Sequence, residues 1–312
     1  MPATIENPRL RTPLSLILDD SCPVINLTYY WIRQRHAWKQ RHQPGVPPDR
    51  WEGDPEKLPL VPEAIPADFA RRFGEWCGEA GVRGKFSVIP YPAGLGRIDR
   101  GLPGHSDAEL EEWLAVIRDV IHPQFDLTPE MLTHTHVLDL RTMEPTEAWE
   151  QREWVDPVPQ DLLTEYVTLC FEILKNVGIA AEGVTSPGTF GKRMEDRYAR
   201  AVLLAALAVT GNRLPFYFLH VVSQPGRIPT CPLQFWGLQP GAGVVSVVGA
   251  TGDWFGGWTG YDLGHPDRFL TEDLRGGRVA EVLAAEAPCI LVGHWPGIYY
   301  GGEESGFAIL KE

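Results

Sequence analysis

The sequence predicts an α/β fold, an irregular (β/α) barrel of about seven or eight mostly parallel strands that forms a single domain over residues 1–312. Three observations lead there. From residue 60 onward, short apolar runs alternate with longer amphipathic stretches, the pattern of strand–helix–strand units with right-handed crossovers. No Gly-x-Gly-x-x-Gly turn follows the first run, which disfavours a dinucleotide-binding open sheet. Several runs also end at residues able to do chemistry, and a barrel gathers the C-terminal ends of its strands on one face.

The first strand is Leu14-Ser15-Leu16-Ile17-Leu18, closed by Asp19-Asp20. Residues 28–66 then break the alternation with Tyr29, Tyr30, Trp31, Trp38, Trp51 and the Pro47-Pro48 pair. This stretch is expected as an inserted loop on the active-site face, serving either as an aromatic wall for a flat apolar ligand or as a cover packed by its own rings. A short helix over 69–77, closed by Gly78 and Gly81, leads to a strand over 85–90. Ser106-x-x-Glu109 is a capping box for a helix with Leu110, Trp113, Leu114, Ile117 and Ile121 on one side. The next strand, within 131–140, contains His134 and His136. Asp161 caps a helix running to Gly178, followed by a strand over 179–184 and the turn Thr185-Ser186-Pro187-Gly188. An Ala- and Leu-rich helix over 194–209 precedes a strand over 215–222 and strand-like runs at 233–236 and 244–248. Asp253 opens a Gly- and Trp-rich loop over 252–261, and a helix over 278–286 feeds the last strand, 288–292, which runs on to His294. Residues 306–312 read as the start of a helix that the end of the sequence cuts short.

Composition narrows the partners. A formal charge of −13 argues against nucleic acid and anionic membrane, both of which require a basic surface. The five cysteines are scattered without a CxxC pair, so reduced thiols are expected rather than a disulfide framework or a thiolate metal site. No secretion signal or membrane span is read, and a cytoplasmic protein is the expectation. Oligomeric state is not legible.

The chemistry-bearing residues suggest a metal site. One aspartate with His134 and His136 is a donor set suited to a divalent metal, zinc first, with cobalt, nickel or manganese as alternatives. On a strand the two histidines would share a face, roughly 6–7 Å apart at the backbone. Adjacent Asp19 and Asp20 point apart on extended chain, so one can bind metal while the other holds a proton. His294 can protonate a leaving group, with Asp253 to orient it. Trp31, Trp254 and Trp295 are aromatic candidates for contact with a small-molecule or oligosaccharide substrate.

The order Asp-Asp after the first strand, His-Thr in the third, a Pro-Gly turn, a late Asp-Trp and a Leu-x-x-His strand end resembles the polysaccharide deacetylase (NodB-like) superfamily over about residues 14–300. The resemblance implies a metal-dependent hydrolase that removes an acyl group from a carbohydrate-like substrate by attack of metal-activated water. It implies Asp19 as general base, Asp20 and His134 as metal ligands, His294 as general acid, and Thr185, Ser186, Pro187 and Gly188 lining the groove. Two departures stand out. The family's second histidine lies four residues after the first, where this chain has Leu138, and its arginine before the proline turn is missing. Three other readings are a glycoside hydrolase using paired carboxylates from Asp19, Asp20 and Asp253, a non-catalytic carbohydrate-binding protein, and a hydrolase with Cys22 as nucleophile.

Overall fold

The computed structural model describes residues 12–48, 52, 56–151, 158–234, 238–253, 267, 269–299, 302 and 304–312. β1 (Leu14–Asp19) becomes fully buried over its last four residues. It leads into α1 (Leu27–His42), whose first turn is capped by the Asn26 side chain accepting from the Thr28 N–H. The first part of the stretch expected as an inserted loop, up to His42, is therefore helical. Trp31 and Ile32 pack with Trp149 against its inner face, and Lys39 pairs with the buried Glu52.

α2 (Ala67–Ala80) ends in a left-handed Gly81 at φ +73°, a conformation glycine adopts without strain. β2 (Gly84–Ser87) follows. A Cβ at Gly84 would stand 1.7 Å from the Leu16 carbonyl oxygen, so only glycine lets β2 approach β1 there. α3 (Asp107–Val116) opens with the expected capping box, in which Ser106 and Glu109 satisfy each other's backbone amides. After it come β3 (Phe125–Thr128), β4 (His136–Asp139), β5 (Glu144–Trp149), α4 (Gln160–Asn176), β6 (Gly183–Thr185) and α5 (Glu195–Val209). The chain continues through β7 (Phe216–Val221), β8 (Leu233–Gln234), β9 (Val244–Gly249), α6 (Gly277–Ala284), β10 (Cys289–His294), α7 (Trp295–Tyr299) and α8 (Ser305–Lys311).

The architecture is mixed α/β with two four-stranded sheets and a separate hairpin. One sheet, in the order β10-β1-β2-β3, is parallel throughout. The other, in the order β6-β7-β9-β8, is parallel except for β8 at its edge. The sheets meet at both ends. Glu130 bridges Thr185 in parallel, with the Thr185 N–H donating to the Pro129 carbonyl at 2.8 Å. On the other side Asp253 bridges Val292, and the Ala250 N–H donates to the Ile290 carbonyl at 2.7 Å.

One expected strand is displaced. Of residues 131–140 only β4 is a strand, and it pairs antiparallel with β5 rather than joining the parallel sheets. Met131 and His134 take φ of +46° and +60°, which strand geometry cannot accommodate. The parallel position is held instead by β3, which is only four residues long and enters from a π-helical turn at Ile117–Ile121. Trp295 is also relocated. Its indole is buried among Phe69, Phe73 and Phe86, with ring centroids 5.0–5.2 Å apart, so it belongs to the core and not to a ligand surface. No helix among the described residues is long and apolar enough to cross a membrane.

Candidate functional site

Asp20 follows β1 in a left-handed conformation, φ +64°. Its N–H donates to Glu130 Oε2 at 2.7 Å. His134 Nε2 lies 2.7 Å from Asp20 Oδ1 and 3.1 Å from Glu130 Oε1, and all three side chains are buried. One donor atom from each converges within 4.8 Å of the others, so this group can hold a metal ion. Asp20 Oδ2 supports that reading, because it is buried and makes no hydrogen bond among the described residues. The two carboxylates favour positive charge between them. Burial opposes charge on His134, but the two carboxylates overcome it and hold the imidazole well above its ordinary range. Burial likewise works against ionised Glu130, and His134 pulls its carboxyl down to about 2.

A second carboxylate builds the loop that carries these ligands. Glu150, at the end of β5, is fully buried and accepts the successive N–H groups of Leu132, Thr133 and His134 at 3.2, 3.1 and 2.7 Å. The Tyr166 hydroxyl donates to it at 2.5 Å. Three consecutive amides aimed at one anion form a nest, and it fixes the irregular path between Met131 and Thr135. Burial pushes the Glu150 carboxyl up to about 7 against the lowering effect of those bonds. Next to it, the Gln151 amide stands 3.2 Å from His134 Nδ1 and orients the ring.

The other half of the site lies on regular strands. Asp19 and His294 are register partners on neighbouring parallel strands, so their side chains face the same cavity. Lys85, buried on β2, bonds Asp19 Oδ1 and donates to the Leu18 carbonyl at 3.3 Å. Burial drives the Asp19 carboxyl up and Lys85 only partly offsets it, leaving it at about 6. Asp253 Oδ2 sits 2.5 Å from His294 Nδ1. Burial disfavours the charged ring, but Asp253, then Asp20, raise it to about 10.

Both halves open onto one cavity of about 430 Å³. Trp31, Phe218, Leu219, Val221 and Val292 form an apolar wall, while Ser186, Gly188, Thr189 and Gln151 line a more polar side.

Asp19, Asp20, His134, Asp253, His294, Trp31, Ser186 and Gly188 thus come together as the sequence reading expected. His136 does not. The turn at His134 sends the two histidines in different directions: the His136 ring, on β4, packs at a tilt on Trp149 with centroids 4.4 Å apart, and burial lowers its pKa. Thr185 is buried in a 2.9 Å hydroxyl pair with Thr128, and Pro187 is also buried, and neither is among the described residues lining the cavity. Trp254 lies outside the described residues. Cys22 is fully buried, and burial together with Asp20 and Glu130 drives its thiol well up, which removes it as a nucleophile. The sequence reading missed Glu130, Lys85, Glu150 and Gln151. Glu130 stands four residues before His134, but nothing in the apolar pattern around it marks it as a ligand. Lys85 is a buried lysine paired with Asp19 from the neighbouring strand.

No protein-family model matches this chain, and no curated protein matches it.

Proposed function

We propose that the two sheets, bridged from the end of β3 to β6 and from the end of β9 to β10, form a closed irregular barrel of seven parallel strands, and that the protein is a metal-dependent hydrolase of the polysaccharide deacetylase type. It would remove an acyl group from a carbohydrate-like substrate. The observation that carries this reading is the convergence of the Asp20–Glu130–His134 group with Asp19 and His294 in one cavity at the C-terminal ends of β1 and β10.

Asp20, Glu130 and His134 would hold a divalent ion from the group zinc, cobalt, nickel and manganese. When bound, that ion supplies a Lewis acid beside the scissile carbonyl and lowers the pKa of water at the site. The remaining chemistry belongs to the chain. Asp19, with a carboxyl near 6, is ionised at neutral pH and takes the proton of the attacking water. Lys85 fixes its oxygen in place and offsets the charge of the surrounding acids. His294, held protonated by burial-resistant pairing with Asp253, gives its proton to the departing amine or alcohol. The backbone contributes less to the oxyanion than a free turn would, because the Thr185 and Ser186 N–H groups already donate to Pro129 and Phe218.

The glycosidase reading needs two carboxylates available on opposite sides of a sugar. Here Asp20 is paired with His134, Asp253 with His294 and Asp19 with Lys85, so each of the three carboxylates already has a charged or imidazole partner. The first test is elemental analysis of wild type against an Asp20→Asn/His134→Ala double variant, followed by an acetyl-release screen on N- and O-acetylated sugars. Near-stoichiometric metal in the wild type, lost in the variant together with acetyl release, is expected. A wild type that takes up no metal after soaking with zinc, cobalt, nickel and manganese would refute the mechanism.

A further inference from the structure

The donors around the metal site differ in kind. Two of the three donor side chains, Asp20 and Glu130, are carboxylates, and His134 contributes the single imidazole among the described residues of the group. Glu130 commits Oε2 to the Asp20 N–H at 2.7 Å, so Oε1, 3.1 Å from His134 Nε2, is the oxygen it turns toward the site. Asp20 offers Oδ1 at 2.7 Å from the same nitrogen and a buried Oδ2 without a hydrogen bond among the described residues. The far nitrogen of the His134 ring, Nδ1, lies 3.2 Å from the neutral Gln151 amide rather than beside a third carboxylate.

Two anionic oxygens neutralise a dication and suit hard cations, whereas zinc gains most from nitrogen and sulfur donors. We propose that this site takes a hard divalent cation of the manganese type, and that Glu130 is the residue that sets the choice. The inference rests on the reading of Asp20, Glu130 and His134 as a metal site and narrows which ion that site accepts. Zinc binds most sites of mixed nitrogen and oxygen more tightly than manganese, so the choice shows as a narrowed zinc-over-manganese margin.

The test titrates metal-free wild type and Glu130→His with manganese chloride and with zinc chloride, each in competition with a metallochromic chelator. The variant exchanges an oxygen donor for a nitrogen donor. The zinc-over-manganese affinity ratio is expected to be at least about tenfold smaller in wild type than in Glu130→His. Ratios that agree within about twofold would overturn the inference. Should Glu130→His fail to fold, Glu130→Gln keeps the side-chain length and a carbonyl acceptor for the Asp20 N–H. It is expected to weaken manganese by about tenfold and zinc by clearly less. Equal losses for both ions would overturn the inference while leaving the metal site standing. A wild type that binds neither ion defeats both the inference and the hydrolase reading beneath it.

Discussion

Asp19 and His294 stand side by side on neighbouring parallel strands, whereas Glu130 and His134 stand on a stretch that contains two left-handed residues and forms no strand between β3 and β4. In the first pair the ladder register alone sets where the side chains point, and Lys85 and Asp253 need only trim their charge. In the second pair no ladder acts. The direction of His134 depends on a buried anion, Glu150, that gathers three backbone amides. Under the proposed mechanism, proton transfer would therefore sit on rigid scaffold, while two of the three candidate metal ligands would sit on a loop whose shape is maintained by side-chain hydrogen bonds. Strain at positive φ costs of order 1–3 kcal/mol per residue and persists only where the surroundings over-determine it.

If the halves are separable, breaking one should leave the other measurable. Asp19→Asn gives the largest effect on turnover, a loss of about 10²–10⁴-fold, with bound metal unchanged by elemental analysis. Metal lost along with activity would show that the two halves are a single electrostatic unit. Glu150→Ala acts on the opposite side. It strands three buried amides and the Tyr166 hydroxyl, so a stability loss of about 2–4 kcal/mol is expected in urea unfolding. Metal affinity should fall about 10–100-fold, as it does when supporting partners of metal ligands are removed. A Glu150→Ala protein that keeps wild-type metal affinity would show that the amide nest is dispensable.

These assignments also explain what could be read from the sequence. Asp19, Asp20 and His294 end apolar runs on regular strands, so an alternation pattern finds them and a barrel argument brings them together. The helices at α2, α4, α5 and α6 were equally legible, because their apolar periodicity matches the face they bury. Glu130 and His134 were only half legible, since a left-handed residue inside an apolar run leaves no trace in periodicity and 131–140 reads as strand. Lys85 and Glu150 are buried charges whose partners lie 66 and 16–18 residues away, and nothing local marks them as paired. Trp295 misled for a related reason. It is the residue after a catalytic candidate, but β10 gives way to α7 at that point and turns the indole into the core.

The strand half makes a pH prediction of intermediate size. His294 acts as an acid only while protonated, so its contribution is complete below about 10 and is lost as pH rises through that value. Asp253 is the foremost influence raising it, and burial pulls the other way. In Asp253→Asn the alkaline limb of the rate profile should therefore move to lower pH, below its wild-type position near 10. The acid limb, set by Asp19 near 6 before any ion is bound, should stay where it is. An alkaline limb that does not move would assign that limb to another group and remove His294 from the acid role.

The smallest expected effect is the sharpest discriminator between a regular strand and the observed loop. On a strand, His134 and His136 would share a face and both would reach the ion; here the turn at His134, φ +60°, separates them and the His136 ring packs at a tilt on Trp149 with centroids 4.4 Å apart. His136→Ala should therefore leave metal stoichiometry and affinity unchanged, and cost about 1 kcal/mol of stability through the lost ring contact. The same substitution at His134 removes a donor from a buried group that retains two carboxylates, and metal should be lost. If His136→Ala instead releases the ion, then in solution the segment from Met131 adopts the extended form that its apolar pattern suggests. Glu150 would then no longer be gathering the amides of Leu132, Thr133 and His134, because an extended chain turns successive N–H groups to opposite sides.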